Sequence, residues 1–194
     1  DYVDRGPDSY GVIDQLIHLH RTARLVALRG NHEEMMLKSR YNRDWFKDWW
    51  DCGGKQTMRS YSPLGDDGKM ADVPDDHWDF LESVCVEWHE SDTHIFVHAN
   101  VYPNAAMDEQ PGNMLRWESI SREWSAPHRS GKILVCGHTQ QRSGLPLNLG
   151  HAVCIDTWAY GDGWLTCLDV TSGRVWQSNQ AERVRTLWLD EVGD

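Results

Sequence analysis

The chain has 194 residues, 40% of them hydrophobic, and a formal net charge of −11. That length supports one sizeable core, so a single domain over residues 1–194 is expected. The acidic balance excludes a nonspecific nucleic-acid binder and a ligand for acidic membranes, because both need a basic face.

Five cysteines, an odd number with no Cys-x-x-Cys spacing, exclude a disulfide framework and a zinc knuckle. They fit a reduced, cytoplasmic setting. No apolar run reaches membrane-spanning length and no signal peptide is evident, so neither a membrane nor a nucleic-acid partner is expected.

In chain order, Pro7 and Asp8-Ser9 predict a helix start, followed by a stripe of Val12, Ile13, Leu16, Ile17 and Leu19. Leu25–Leu28 is a short β-like run ended by Arg29-Gly30, and a second helix is predicted from Asn31 through Met35, Met36 and Leu37. A third helix covers Trp45, Trp49 and Trp50, whose helical spacing suits core packing. Asp66-Asp67-Gly68 reads as a turn and Pro74–Val84 as another helix. The remainder is β-rich, with strands expected at 84–88, 94–98, 133–137, 152–156, 164–169 and 174–177. Residues 99–113 and 140–150 are expected to be long loops. An α/β first part followed by a mostly β part suits a layered core covered by helices.

The chemistry-bearing residues come in groups beside apolar runs. Asp1, Asp4 and Arg5 open the chain, and Gly30, Asn31, His32 and Glu33 follow the Leu25–Leu28 run. Carboxylates and an amide oxygen hold divalent ions, an imidazole moves protons, and a guanidinium grips phosphate. Each group alone has a plainer explanation, as a surface turn, a helix cap or a satisfied histidine at a sheet edge. Their joint occurrence at strand-to-loop junctions favours a metal-assisted phosphoryl transfer.

These motifs, Asp-Tyr-Val-Asp-Arg-Gly at 1–6 and Gly-Asn-His-Glu at 30–33, resemble those of the phosphoprotein phosphatase family of metal-dependent serine/threonine phosphatases, in its bacterial and phage-type branch. Asp51–Tyr61 is similar to the branch's Gly-Gly-x-x-Thr-x-x-Ser-Tyr segment. Ile95–Ala99 and Leu134–Thr139 resemble strand ends that each deliver a metal-binding histidine, and Ile155-Asp156-Thr157 with Leu165–Asp169 resembles the closing strands. The resemblance implies a calcineurin-like metallophosphatase fold, α/β in class, with a β-sandwich flanked by helices. It implies two divalent ions, manganese with iron or zinc as substitutes, about 3.5–4 Å apart, and a metal-activated water that attacks phosphorus directly. Asp1, Asn31, His98 and His138 are then metal ligands. His32 donates a proton to the leaving oxygen, Asp4 orients His32, and Arg5 binds the phosphoryl oxygens. Gly6 is expected to supply the tight turn beside them.

The family's earlier Gly-Asp-x-His-Gly motif does not occur here. The expectation is therefore an N-terminally truncated chain, part of a longer domain lacking its first strand-helix unit and holding one metal rather than two. Three departures from the pattern stand out: Asn100 follows Ala99 where Gly is usual, Trp158 replaces a usual glycine, and no arginine lies two residues after Trp117. Arg116 is taken instead as the second phosphate-binding arginine. The expected substrate is phosphoserine or phosphothreonine in a protein, or a small phosphoester. Two alternatives remain: a dinucleoside polyphosphate hydrolase and an inactive phospho-binding fragment. His18, His20, His77, His89, His94, His128 and His151 are assigned no function.

Overall fold

A computed structural model of the chain describes residues 1–62 and 66–192. The chain divides into two compact units, Asp1–Glu87 and Trp88–Asp194.

The first unit is mainly helical. Helix α1 (Ser9–Thr22) is capped by Asp8, whose carboxylate accepts from the Gly11 N–H at 2.8 Å. It buries Ile13 and Ile17, whereas Val12 and Leu19 of the expected stripe are exposed. Helix α2 (Asn31–Ser39) follows, then α3 (Arg43–Trp49), a wide turn Trp50–Gly54, and α4 (Lys55–Tyr61). Helix α5 (Asp75–Asp79) continues as a wider turn to Val84. The Leu25–Leu28 run makes only an isolated parallel bridge, Leu28 to Val86, and the strand expected at 84–88 is displaced. Arg29 explains this: its guanidinium donates to the carbonyls of Leu81, Glu82 and Cys85, so the chain there closes a helix end.

The second unit holds two sheets. Strands β1 (Trp88–Glu90), β2 (His94–Val97), β3 (Ile133–Cys136), β4 (Leu147–Asn148) and β5 (Ala152–Cys154) form a sheet ordered β1-β2-β3-β5-β4. Strands β2, β3 and β5 are parallel, with Ile95 beside Leu134 and Leu134 beside Ala152. Their apolar residues, with Leu115 of helix α6 (Gly112–Trp117), make the core of this unit. Strands β6 (Leu165–Leu168), β7 (Arg174–Ser178) and β8 (Val184–Trp188) form an antiparallel three-stranded sheet. Strand β7 alternates, burying Val175 and Gln177. Strand β4 lies inside the expected 140–150 loop, and β8 lies beyond the last expected strand, its Val184 separated from Leu187 by Arg185 and Thr186.

Among the described residues no helix is long and apolar enough to cross a membrane. All five cysteines are free thiols.

Candidate active site

In the first unit the chain start folds over the N-terminus of α2. Asp4 and Arg5 both take left-handed backbone, φ 78° and 63°. Two successive non-glycine residues in that region are unfavourable, by about 1–3 kcal/mol each, and persist only where surroundings over-determine them. Here they do. The Asp4 N–H donates to Thr57 Oγ1 at 2.8 Å and to Ser9 Oγ at 3.2 Å, and the Arg5 N–H donates to the Gly53 carbonyl at 3.3 Å. Gly6 closes the tight turn, its N–H donating to the Asp4 carbonyl at 2.6 Å, but it is not among the left-handed glycines and a Cβ there would meet nothing closer than 3.9 Å. The glycine the turn requires is Gly53, at φ 126°, where a Cβ would fall 2.8 Å from both Cγ and N of Arg5. Its neighbour Gly54 clears the Trp49 ring, which a Cβ would meet at 2.5 Å. The Gly-Gly pair thus lets the turn after α3 close on Asp4, Arg5 and Trp49 together.

The Asp4 carboxylate is the hub of this turn. Oδ2 lies 2.5 Å from His32 Nδ1, Trp49 Nε1–H donates to both carboxylate oxygens at 2.9–3.0 Å, and Thr57 Oγ1–H donates to Oδ1 at 2.7 Å. Burial pushes the Asp4 carboxyl above its ordinary range, with the bonds from His32 and Thr57 opposing that rise. With Nδ1 so engaged, Nε2 is the His32 nitrogen left for chemistry. Arg5 is exposed.

Asn31 and His32 are buried at the first turn of α2, and the His32 N–H donates to Asp1 Oδ1 at 3.3 Å. Glu33 is fully buried beneath them. Its Oε2 accepts from the Gly30 N–H at 2.8 Å, and its Oε1 from the Tyr2 and Val3 N–H groups at 2.5 and 3.3 Å. Burial raises the Glu33 carboxyl, and the donors of Tyr2 and Gly30 oppose that rise. Glu33 therefore staples residues 1–3 to the start of α2.

In the second unit the carboxyl ends of the parallel strands deliver the histidines. His98 directly follows β2 and His138 follows β3, the edge at which open α/β sheets place ligands. His98 Nε2 lies 3.2 Å from His138 Nδ1, and His138 Nε2 lies 3.0 Å from the Trp117 carbonyl. That carbonyl accepts the Nε2 proton, so Nδ1 keeps its lone pair toward His98. Two imidazole nitrogens bound at about 2.0–2.1 Å to one ion are separated by roughly this span, and a backbone carbonyl on the far nitrogen is their usual support. The donor types fit a divalent ion. Among the described residues no three His, Cys, Asp or Glu side chains form a metal-holding group by themselves.

A family model for calcineurin-like phosphoesterases matches residues 1–142. The chain belongs to this family. The calcineurin-like phosphoesterase fold is shared with the crystal structure of a protein described as a candidate diadenosine tetraphosphatase: TM-score 0.57 at 17% identity, covering 97% of this chain and 77% of that one. Among curated proteins none matches the chain.

In this phosphoesterase, Asp1, Asp4, Arg5, Asn31 and His32 belong to the first unit, and His98, Arg116 and His138 to the second. Arg116 is the penultimate residue of α6, with its guanidinium folded over Gly112, where a Cβ would lie 2.6 Å from Nη2. The next residue supplies the carbonyl that holds His138. Asn100, the departure after Ala99, caps its own turn: Oδ1 accepts from the Val101 N–H at 2.8 Å and Nδ2 donates to the Ser119 carbonyl at 3.1 Å. The unassigned histidines include structural ones; His128 engages Ser130 and the Ala105 carbonyl, and His77 engages Tyr61. Trp49, Thr57 and Ser9 are the site residues that sequence reasoning missed. Thr57 lies inside a matched motif that gives it no role, and the helical spacing of Trp49 points to packing alone.

Proposed function

We propose that this chain is a metal-dependent phosphomonoesterase acting on phosphoserine and phosphothreonine, with small aryl phosphates as further substrates. The observation that carries the proposal is the 2.5 Å contact of Asp4 with His32 Nδ1, inside a turn built to hold it. Asp1 and Asn31 in the first unit are proposed as divalent-ion ligands, and so are His98 and His138 in the second, with manganese the preferred ion. When bound, the ion supplies charge stabilisation and a lowered pKa for its water. The chain's own residues supply the rest. Arg5 and Arg116 are each proposed to grip phosphoryl oxygens as a planar fork. His32 Nε2 donates the proton to the departing serine or threonine oxygen, while Asp4 fixes its tautomer and stabilises the charged ring.

The second reading is a dinucleoside polyphosphate hydrolase, favoured by the described activity of the fold neighbour. Asp4 and Glu33 weigh against it, because the relatives with that activity tend to carry Ala and Asp at these positions. Both carboxylates are fully engaged here, one on His32 and the other on the backbone of residues 2, 3 and 30.

The deciding assay compares p-nitrophenyl phosphate, a phosphoserine peptide and diadenosine tetraphosphate, each with Mn²⁺, with chelator, and with His32→Ala. Manganese-dependent release of phosphate from the monoesters, lost in His32→Ala, is expected. Preferential cleavage of the dinucleotide would install the second reading. Monoester binding without turnover would identify a phospho-binding fragment.

A further inference from the structure

His138 takes left-handed backbone, φ 60°. A β-carbon makes that conformation unfavourable, so something must hold it. The turn around it is tied on one side by the Gly137 N–H, which donates to the His98 carbonyl at 2.8 Å, and by the Ile120 N–H, which donates to Thr139 Oγ1 at 2.9 Å. Of the two carbonyls that flank the imidazole, that of Gly137 accepts from the Thr139 N–H at 2.6 Å and that of Thr139 from Gln141 Nε2 at 2.6 Å. The side chain that ties both together is Cys154. Its Sγ lies 3.3 Å from the Gly137 carbonyl and 3.3 Å from the Thr139 carbonyl, so one thiol proton is shared between the residue before His138 and the residue after it.

The placement follows from the sheet. Cys154 ends β5 directly beside Cys136, which ends β3 two residues before His138. Cys154 is fully buried, which leaves its sulfur inaccessible as a nucleophile or redox group.

We propose that Cys154 is a positioning residue for His138, its thiol holding the turn so that Nδ1 faces His98 Nε2 and both imidazoles can take one ion. This rests on the reading of His98 and His138 as metal ligands. Without the donor, the Gly137 and Thr139 carbonyls lose a shared partner and the strained turn can relax. His138 Nδ1 then swings from His98 and the Nε2 contact with Trp117 loosens.

The test is calorimetric titration of the metal-free chain with Mn²⁺ alone. Alanine and serine have similar volumes and differ in the donor. Cys154→Ala is expected to weaken Mn²⁺ binding about 10–100-fold, in the range of other supporting partners of metal-bound histidines, and Cys154→Ser to recover most of the loss. Equal affinities for the Ala and Ser variants, with His138→Ala still abolishing binding, would overturn this inference alone by reducing Cys154 to packing. Wild-type affinity in His138→Ala, or no binding by the wild type, would overturn the metal reading and this inference together. Circular dichroism checks folding; should Cys154→Ala not fold, Cys154→Val, which fills the space without a donor, enters the same comparison.

Discussion

Asp4 Oδ2 and His32 Nδ1 meet at 2.5 Å in a buried turn, and that contact occupies one of the two imidazole nitrogens. If His32 is the proton donor and Asp4 acts only through it, removing either damages the same step. His32→Ala is expected to lower kcat by about 10²–10⁴-fold, the usual worth of a positioned acid. Asp4→Asn should cost no more than that, and the double variant should be no slower than His32→Ala. Steady-state kinetics on p-nitrophenyl phosphate checks this; losses that multiply would mean that Asp4 acts independently of His32.

Gly53 is where the backbone of the site is most exposed to a single methyl. At φ 126°, with Cγ and N of Arg5 at 2.8 Å from a Cβ and Asp4 Cβ at 3.0 Å, Gly53→Ala must push the turn away. The expected cost exceeds about 1 kcal/mol of stability. Because Arg5 is the residue displaced, KM for phosphoesters should rise as well. Thermal melts and kinetics report the two effects separately, and an unchanged KM would remove Arg5 from the binding role.

Trp49 makes a sharper test of the hub. Phenylalanine keeps most of the buried ring but lacks the Nε1–H that serves both Asp4 oxygens. A hydrogen bond to a carboxylate is worth about 1.5–3 kcal/mol, so Trp49→Phe should destabilise by about that amount in denaturant titrations and lower kcat. Trp50 stacks on Phe46 at 5.5 Å between centroids and makes no described hydrogen bond to Asp4, so Trp50→Phe should leave kcat unchanged. Equal kcat losses at the two tryptophans would mean that packing, not donation, is what Asp4 needs.

The sequence exposed what repeats locally and hid what depends on distant closure. Helix α1 was legible because Asp8 caps it and Ile13 and Ile17 recur at helical spacing. Strands β2, β3 and β5 were legible as continuous apolar runs, which parallel buried strands produce. The run at 84–88 misled because Arg29, more than fifty positions away, draws the Leu81, Glu82 and Cys85 carbonyls into a helix end. Asp4 and His32 could be named from their motifs. Trp49, Thr57, Ser9 and Gly53 could not be given roles, because nothing local shows that the turn after α3 closes on residues 4 and 5. The signal was present only as the Gly53-Gly54 pair, whose spatial reason appears with the Arg5 and Trp49 contacts.

His77 couples the first unit's stability to pH. It is buried, with Nδ1 2.9 Å from the Tyr61 hydroxyl and Tyr10 against its ring at 5.0 Å between centroids. Burial holds it below its ordinary value, against the raising influence of Asp76 and Asp14. An unfolded histidine takes up its proton near pH ~6.5, whereas the folded one resists until lower pH. The unfolded state therefore binds more protons in the window between the two values, and stability falls as pH drops through it. Above that window the contribution is fully present, and below the folded value no further loss comes from this group. His94 is shifted in the same direction by burial, so the wild-type slope contains both. Thermal melts from pH 7.5 to 5 should show His77→Gln less stable than wild type at neutrality but with a shallower decline on acidification. A parallel decline in both proteins would show that His77 is not the group whose protonation opens this unit.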